Sequence, residues 1–240
     1  MPAAYCEHLT KTYGSKDNQV IALNDVSVAF ESGEFTAIMG PSGSGKSTLM
    51  HTMAGLDSPS SGATFIGETE LSGLSDGQLT ALRRDSIGFV FQSFNLVPTL
   101  TAAENITLPL DIAGQSPDTA WFEEVTTRLG LTDRLGHRPT ELSGGQQQRV
   151  AVARALVSRP EIIFGDEPTG NLDSNASREV LTILRAAVDE MGQTVVIVTH
   201  DPTAAAYADR VIFLSDGQIT ADKRTPSAEE IFATMQELQQ

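Results

Sequence analysis

A glycine-rich loop between a strand pattern and a helix pattern constrains this chain more than any other feature. Residues 40–47 read Gly-Pro-Ser-Gly-Ser-Gly-Lys-Ser, after the strand-like run 34–39 and before the helix-forming segment 46–56. Glycines let successive backbone amides turn inward toward an anion, and the positive end of the following helix adds to the field. The order of glycine, lysine and serine is that of a phosphate-binding loop in its required strand-loop-helix context. The sequence therefore predicts a nucleoside triphosphate site in an α/β fold.

The residue types of the loop follow from phosphate chemistry. Lys46 is predicted to place its ammonium on the β- and γ-phosphates, and Ser47 to offer its hydroxyl to Mg2+. The predicted nucleotide-binding residues of this segment are Gly40, Pro41, Ser42, Gly43, Ser44, Gly45, Lys46, Ser47 and Thr48.

Two acids follow a second apolar run, at residues 162–164. A carboxylate at the carboxyl end of a parallel strand beside a phosphate loop can hold Mg2+, so we assign Asp166 to the metal. Its neighbour Glu167 is predicted to deprotonate or orient the attacking water. Two such acids can also be a solvated pair in a loop. The apolar run before them, the turn at 168–170 and the phosphate loop favour the catalytic interpretation.

A second potential anion site lies at residues 142–146, which read Leu-Ser-Gly-Gly-Gln before the helical stretch 147–156. A serine and two glycines at a helix start are common as a simple cap, and they can also bind phosphate. One nucleotide needs one phosphate loop. A head-to-tail dimer explains the second site, because each copy then completes the nucleotide pocket of the other.

With these pieces, the sequence resembles the ATP-binding-cassette (ABC) ATPases over essentially its whole length. The motifs stand in that family's order: the phosphate loop, Gln92, residues 142–146, the two acids, residues 170–173 and His200. The resemblance implies an α/β fold with a P-loop NTPase (RecA-like) core, an N-terminal antiparallel β subdomain and a helical insertion subdomain. The implied boundaries are one domain at 4–240, with the core and β subdomain at 4–92 and 160–225, the helical subdomain at 93–159 and a C-terminal helix at 226–240.

The resemblance also implies roles for residues that spacing alone leaves open. Tyr13 would stack on adenine, whereas alone it reads as an ordinary surface or core aromatic. Gln92 would reach both Mg2+ and the attacking water. His200, alone an exposed turn histidine, would contact the γ-phosphate. The residues implied to hold or couple to the partner's ATP are Ser143, Gly144, Gly145, Gln146 and Asp173. The implied cofactors are ATP and Mg2+.

Two longer runs, at residues 91–106 and 165–173, are similar to the macrolide-export and lipoprotein-release branch of exporter-type ABC ATPases. That likeness implies a membrane permease that docks near Phe94 to Ala103, a segment that could instead be a buried loop. Two functions stay open: the ATPase subunit of a transporter, and an ATP-driven mechanical regulator of a membrane-bound division or cell-wall complex. A metabolic kinase is a more remote third reading.

Charge and composition limit the partners and the cellular compartment that we expect for this chain. The net charge of −15 disfavours general affinity for nucleic acid or anionic lipid, so no nucleic-acid partner is expected. Cys6 is the single cysteine, which fits a reducing cytoplasm. No signal peptide and no run long enough to span a bilayer is evident. We expect a cytoplasmic protein, held on the inner face of the membrane by its permease.

Local patterns give further expectations. Asn24-Asp25 is predicted to be a turn between two strands, and Asp216-Gly217 a hairpin turn. The final third alternates strand and helix patterns, which indicates a parallel sheet covered on both faces. Gly165 stands where the family more often has alanine or a larger residue, so looser local packing is expected there.

Overall fold

The chain folds around two β-sheets, seen in a computed structural model that describes residues 1–15 and 18–238. The strands are β1 Pro2–Tyr13, β2 Val20–Glu31, β3 Phe35–Met39, β4 Ser61–Ile66, β5 Thr69–Glu70, β6 Ile87–Phe91, β7 Ile162–Asp166, β8 Thr194–Val198, β9 Arg210–Ser215 and β10 Gln218–Arg224. The helices are α1 Lys46–Met53, α2 Asp76–Ser86, α3 Ala102–Ile112, α4 Thr119–Arg128, α5 Gly144–Leu156, α6 Ser174–Met191, α7 Pro202–Ala205 and α8 Ala228–Glu237. Short 3₁₀ turns lie at Thr132–Arg134 and Pro139–Glu141.

The larger sheet has six strands in the order β10-β9-β3-β8-β7-β6. The five strands from β9 to β6 in this order are parallel to one another, and the edge strand β10 pairs antiparallel with β9. The predicted hairpin is confirmed: Asp216 and Gly217 both have positive φ, at 49° and 74°, as a tight two-residue turn requires. Because the parallel strands end at one edge, the loops after β3, β6, β7 and β8 meet there.

The smaller sheet is antiparallel, in the order β2-β1-β4-β5. The predicted turn at Asn24-Asp25 is wrong, since β2 continues through both residues. Asp25 instead adopts φ 56°, and the pairing of β1 with β2 shifts register nearby. The polar residues Asn24 and Asp25 are accommodated by a bulge instead of a turn. The reason is the long partner strand β1, which was not predicted and which pairs with the apolar residues on both sides of them.

Apolar side chains alternate across the six-stranded sheet and form a core on each face. One core contains Phe35, Ile163 and Ile197 and is covered by α5 and α6. The other contains Phe164 and Val196 and is covered by α1. The prediction of a sheet buried on both faces is confirmed.

The region 93–159, predicted to be helical, contains α3, α4 and α5. Their buried residues Ile106, Val125 and Val150 join the core on the α6 side of the sheet. At the chain's end, α8 begins at the cap residue Ser227 and buries Ile231 against the same core. The last two residues of the predicted C-terminal helix, 239 and 240, lie outside the described residues.

Gly165 lies in β7 with close neighbours. A Cβ there would lie 3.1 Å from Ile197 Cγ2 and 3.3 Å from Pro168 Cγ. These contacts are tighter than ordinary packing, so the expectation of loose packing is wrong. Side chains from the adjacent strand β8 and from the turn after β7 occupy the space that a larger residue would need.

The charge of the chain should make its stability depend on ionic strength. With a net charge of −15, like charges repel within the folded state, and salt screens that repulsion. We expect the melting temperature to rise by roughly 5 °C when NaCl is increased from about 0.02 M to about 0.5 M.

Calorimetry at several salt concentrations measures this effect. Glu123 and Asp133 are exposed acids, and the double variant Glu123→Lys/Asp133→Lys should show a smaller rise because its net charge is smaller. A melting temperature that falls with added salt would show that attractive ion pairs outweigh the repulsion.

Candidate nucleotide site

The phosphate loop leaves β3 and enters α1, and its glycines are there for two different reasons. Gly40 and Gly45 have positive φ, and a Cβ on them would lie 2.0 Å from Leu214 O and 2.3 Å from Ala22 O. These positions exclude a side chain because another backbone passes close by. Gly43 also has positive φ, but nothing lies within 4 Å of its Cβ position. The loop therefore packs against neighbouring backbone at Gly40 and Gly45 and has open space beside Gly43.

Lys46, the first residue of α1, turns its side chain back onto the loop. Its Nζ donates to Gly40 O at 2.9 Å and to Pro41 O at 2.7 Å. Burial lowers the pKa of Lys46, and the carboxylates of Glu167 and Asp166 act in the opposite direction. The ammonium is thus held above the loop, where phosphate oxygens can replace neutral carbonyl oxygens as its acceptors.

Ser47 and Asp166 meet where the start of α1 faces the end of β7. Ser47 Oγ donates to Asp166 Oδ1 at 3.3 Å. A hydroxyl beside a carboxylate suits the oxygen preference of Mg2+, so these residues fit the metal that the sequence implied. Within residues 1–15 and 18–238, no group of three or more His, Cys, Asp or Glu side chains could hold a metal by itself. The nucleotide's phosphates would have to supply further oxygens, as is usual for Mg2+ in such sites.

His51 is a neighbour of this pair that the sequence analysis missed. Its Nε2 lies 3.7 Å from Asp166 Oδ2, on the carboxylate oxygen that Ser47 does not use. The signal was present, because His51 follows Ser47 by four residues and so lies on the same face of α1.

Glu167 and His200 are brought together at the ends of β7 and β8. His200 Nδ1 lies 2.8 Å from Glu167 Oε1, and the Glu167 amide donates to Val198 O at 3.0 Å. Glu167 has φ 47°, an uncommon conformation for a residue other than glycine. The backbone bond and the histidine together hold the carboxylate in one orientation. His200 is mostly exposed, with 74% of its side chain accessible.

Gln92, directly after β6, is bound to the loop that follows Glu167. The Gln92 side-chain Nε2 donates to Asn171 Oδ1, and the Gln92 backbone carbonyl oxygen accepts from Asn171 Nδ2, both at 3.1 Å. A Cβ on Gly170 would lie 2.8 Å from Gln92 Nε2, so a larger residue there would require the Gln92 side chain to shift. The role of Asn171 was not predicted. The Gln92 amide nitrogen is occupied, which leaves its side-chain oxygen for the predicted contacts to Mg2+ and water.

Gln148, on α5, is a second residue that the sequence analysis missed. It is fully buried, and its Nε2 donates to Phe91 O at 3.4 Å and to Pro168 O. Its Oε1 has no hydrogen-bond partner among the described residues. One amide therefore ties α5 both to the residue before Gln92 and to the residue after Glu167. Its position within three consecutive glutamines gives no sign of which one is buried.

The segment 143–146 forms the start of α5. Ser143 accepts from Gln146 N, and Gln146 in turn accepts from Ser143 N at 2.9 Å. Cβ positions on Gly144 and Gly145 would lie 3.5 Å from Leu172 Cδ2 and 3.1 Å from Ala176 Cβ. In the described part of the chain, no hydrogen bond or ion pair joins this segment to the phosphate loop.

Asp173 lies beside that segment. It caps α6 by accepting from the amides of Asn175 and Ala176, both at 2.9 Å. The structure thus groups the predicted residues into two sets. One surrounds the phosphate loop and contains Asp166, Glu167 and His200, and the other contains Asp173 and the start of α5.

Tyr13 is the last residue of β1, and its ring is partly exposed. Its hydroxyl donates to Asp57 Oδ2 at 2.7 Å. Partial burial and the hydrogen bond to Asp57 raise the pKa of Tyr13. The residue is a neutral aromatic side chain with one anchored end.

Several known proteins are similar to this chain. A model of the ABC transporter family matches residues 23–170. The macrolide export ATP-binding/permease protein MacB of Burkholderia thailandensis is 46% identical over 230 residues, covering 95% of this chain and 35% of that protein. MacB of Rhodopseudomonas palustris is 49% identical over 222 residues, covering 90% of this chain and 33% of that protein. The chain therefore spans about a third of the length of these curated relatives.

A solved structure is similar over its whole length. It is a dimeric ATP-binding cassette in a post-hydrolysis state bound to ADP and Pi, 41% identical, with a TM-score of 0.82 over 93% of this chain and 99% of that one. The fold and the loop thus define a nucleotide-binding protein of the P-loop NTPase class, with the antiparallel β subdomain that was predicted. This chain belongs to the ABC transporter family and is an ABC ATPase cassette. The resemblance inferred from the motifs is confirmed, while the roles of individual residues stay predictions.

Proposed function

We propose that this chain is the ATP-hydrolysing subunit of an exporter-type ABC transporter, and that two copies close on ATP to drive a membrane permease. The observation that supports this most directly is the pairing of Glu167 with His200 beside Lys46 and Asp166. A carboxylate bonded to an imidazole thus lies near the lysine of the phosphate loop. The chain that carries them is 46% identical to part of an export protein.

In this proposal the residues of the first set divide the work of hydrolysis. Lys46 and the loop amides neutralise the phosphates, which makes the terminal phosphorus easier to attack. Glu167 accepts the proton of the attacking water, and His200 holds the carboxylate in place and contacts the γ-phosphate. Mg2+, bound by Ser47 and Asp166 with Gln92 nearby, would offset further phosphate charge when present.

The dimer accounts for the second set. In the segment 143–146, the amides of Gly144 and Gly145 have no hydrogen bond among the described residues, whereas those of Ser143 and Gln146 are used within the cap. No bond in the described part of the chain joins this segment to the phosphate loop, and Asp173 caps the neighbouring helix α6. A second copy in head-to-tail arrangement would bring its nucleotide to these amides. The similarity to a dimeric cassette bound to ADP and Pi supports this arrangement.

A groove between the core and the helical region supports the permease contact. It has a volume of 460 Å³, and its largely apolar wall includes Leu56, Ile87, Phe89 and Phe91. Asn95, from the segment predicted to dock the permease, lines one side. We therefore place the docked permease segment in this groove.

The segment itself is held from beneath. Arg154 donates to Phe94 O at 2.8 Å and to Asn95 O at 2.7 Å, and both of these residues have positive φ. The side chains of the segment are mostly half-buried or exposed, with Ala102 fully buried at its end. This arrangement fits a shaped contact surface better than the alternative of a buried loop.

The membrane setting of this proposal depends on the permease. None of the helices in residues 1–15 and 18–238 combines the length and apolar character that crossing a bilayer requires. We propose that the chain lies on the cytoplasmic face of the membrane through this contact.

A pull-down tests the proposed function. The Glu167→Gln variant, loaded with ATP, should retain from detergent-solubilised membranes a protein with several spanning helices and a large extracytoplasmic domain. Leu56 is 46% exposed in the groove, and adding Leu56→Asp should reduce recovery by about tenfold or more, since removing a charged side chain from water in an apolar contact is costly.

The matched control is Phe232→Asp, because Phe232 is 54% exposed on α8 and does not line the groove. It should leave recovery unchanged. A retained partner that has few spans and activates a wall hydrolase would support the mechanical regulator instead. Recovery of no membrane protein would contradict both.

A further inference from the structure

We propose that Lys11 and Asp57 are positioning residues for nucleotide binding, which fix the ring of Tyr13 so that only one of its faces can receive the base. The proposal rests on the role of Tyr13 at adenine that belongs to the proposed function. It concerns two charged residues, 46 positions apart, that no motif of the sequence identifies.

One carboxylate makes both contacts. Asp57 Oδ1 accepts from Lys11 Nζ at 2.5 Å, and Asp57 Oδ2 accepts from the Tyr13 hydroxyl at 2.7 Å. The same ammonium donates to Ser58 O at 2.7 Å and lies 4.8 Å from the centroid of the Tyr13 ring. The hydroxyl end of the ring is therefore fixed, and a cation covers one face.

Burial is unequal within this group. The Lys11 side chain is 11% exposed, while Tyr13 is 43% exposed. A lysine this well buried is uncommon unless it is paired, and here the pair supports an exposed aromatic ring. Because the buried cation occupies one face of the ring, a planar base must stack on the other face.

The carboxylate is charged in this arrangement. Burial acts to raise the pKa of Asp57, but hydrogen bonds from Lys11 and Tyr13 lower it, and the net shift is downward. A charged Asp57 accepts both bonds more strongly than a neutral acid would.

The position of Asp57 connects the ring to the phosphate loop. The amide of Asp57 donates to His51 O at 3.2 Å, so the residue is attached to the end of α1, the helix that begins at Lys46. Eight residues of helix are about 12 Å long. A single short helix thus sets the separation between the phosphate contacts and the anchor of the ring.

The strand that carries Tyr13, β1, is hydrogen-bonded to the segment that follows Asp57. Ser60 N donates to Thr10 O at 2.9 Å, and Thr12 N donates to Ser60 Oγ at 3.0 Å. These bonds hold β1 and the residues after Asp57 as one unit, so the ring has little freedom to turn. A preformed stacking surface reduces the ordering that nucleotide binding would otherwise require.

Two ligands separate positioning from a merely structural role. ADP carries a base and inorganic diphosphate does not, yet a phosphate loop can bind the phosphates of both. Calorimetric titration in the presence of Mg2+ should show ADP binding about tenfold weaker for Lys11→Met and for Asp57→Asn, the scale of one lost base-aromatic stack. Binding of diphosphate should be unchanged.

A double variant tests whether the three residues act together. Because Asp57 is proposed to act through the ring, Asp57→Asn/Tyr13→Ala should bind ADP no more weakly than Tyr13→Ala alone. The matched control is Asp189→Asn, which removes the exposed carboxylate that Arg185 binds on α6 and should not alter ADP binding.

The outcomes are distinct. If Tyr13→Ala weakens ADP binding but Lys11→Met and Asp57→Asn do not, the positioning role is overturned and the adenine contact stands. Equal weakening of ADP and diphosphate would also overturn it, because the pair would then support the loop itself. If Tyr13→Ala binds ADP like the parent, the adenine contact in the proposed function fails, and the positioning role fails with it.

Discussion

Replacing Glu167 with glutamine is expected to lower the rate of ATP hydrolysis by about 10²- to 10⁴-fold while ATP binding is retained. Glutamine has nearly the same shape and can still contact His200, but it cannot accept a proton from water. The backbone at φ 47° and the bond to Val198 do not depend on the charge of the side chain. The fold should therefore persist and only the proton transfer should be lost.

The same variant should accumulate as an ATP-bound dimer. If hydrolysis opens the dimer, a copy that cannot hydrolyse stays closed, and size-exclusion chromatography with ATP and Mg2+ should show a dimer that the parent chain does not retain. Phosphate release measures the rate. Glu161→Gln is the matched control, because Glu161 is an exposed glutamate just before β7, at the opposite end of the strand. A Glu167 variant that hydrolyses ATP at the parental rate would disprove the assignment of the base.

Replacing Ser143 with arginine is expected to abolish this ATP-dependent dimer while each copy still binds ATP. Ser143 is exposed at the start of α5, apart from the phosphate loop of its own chain. A long cationic side chain there should block the approach of a second copy and remove an acceptor from the helix cap. In the Glu167→Gln background we expect the dissociation constant of the dimer at saturating ATP to rise by at least tenfold, a change of about 1.4 kcal/mol or more.

Loss of a helix cap alone costs about 1 kcal/mol, so a matched control must separate that cost from the effect on the dimer. Ser227 supplies it. It caps α8 with the same reciprocal pattern, in which Glu230 takes the part that Gln146 takes for Ser143. Ser227→Arg should lower the melting temperature similarly and leave the dimer intact. If Ser143→Arg still dimerises on ATP, the head-to-tail arrangement is incorrect.

The parts of this molecule that depend on local order could be predicted from the sequence. The loop at 40–47, the acidic end of β7 and the hairpin at Asp216 are each set by a few adjacent residues. These segments can adopt few other conformations, because glycines at left-handed positions favour a turn and a short apolar run favours a buried strand.

Features that depend on distant contacts could not be predicted. Gln92 and Asn171 are 79 positions apart, and only the fold shows that they pair. The tight packing at Gly165 is set by Ile197 on a neighbouring strand. The bulge at Asp25 is set by the length of β1, which keeps both halves of β2 in one ladder.

Gln148 gives the two halves of the nucleotide site a shared constraint. Its amide is buried, so water cannot replace the carbonyl groups of Phe91 and Pro168 if they move away. Any rotation of α5 must either carry both loops with it or leave that amide without acceptors, at a cost of about 1–3 kcal/mol. The start of α5, which is proposed to bind a partner's nucleotide, and the turn after Glu167 are therefore linked through the Gln148 amide. If α5 contacts the nucleotide of a second copy as proposed, the position of Glu167 in one copy should therefore depend on its contact with the other.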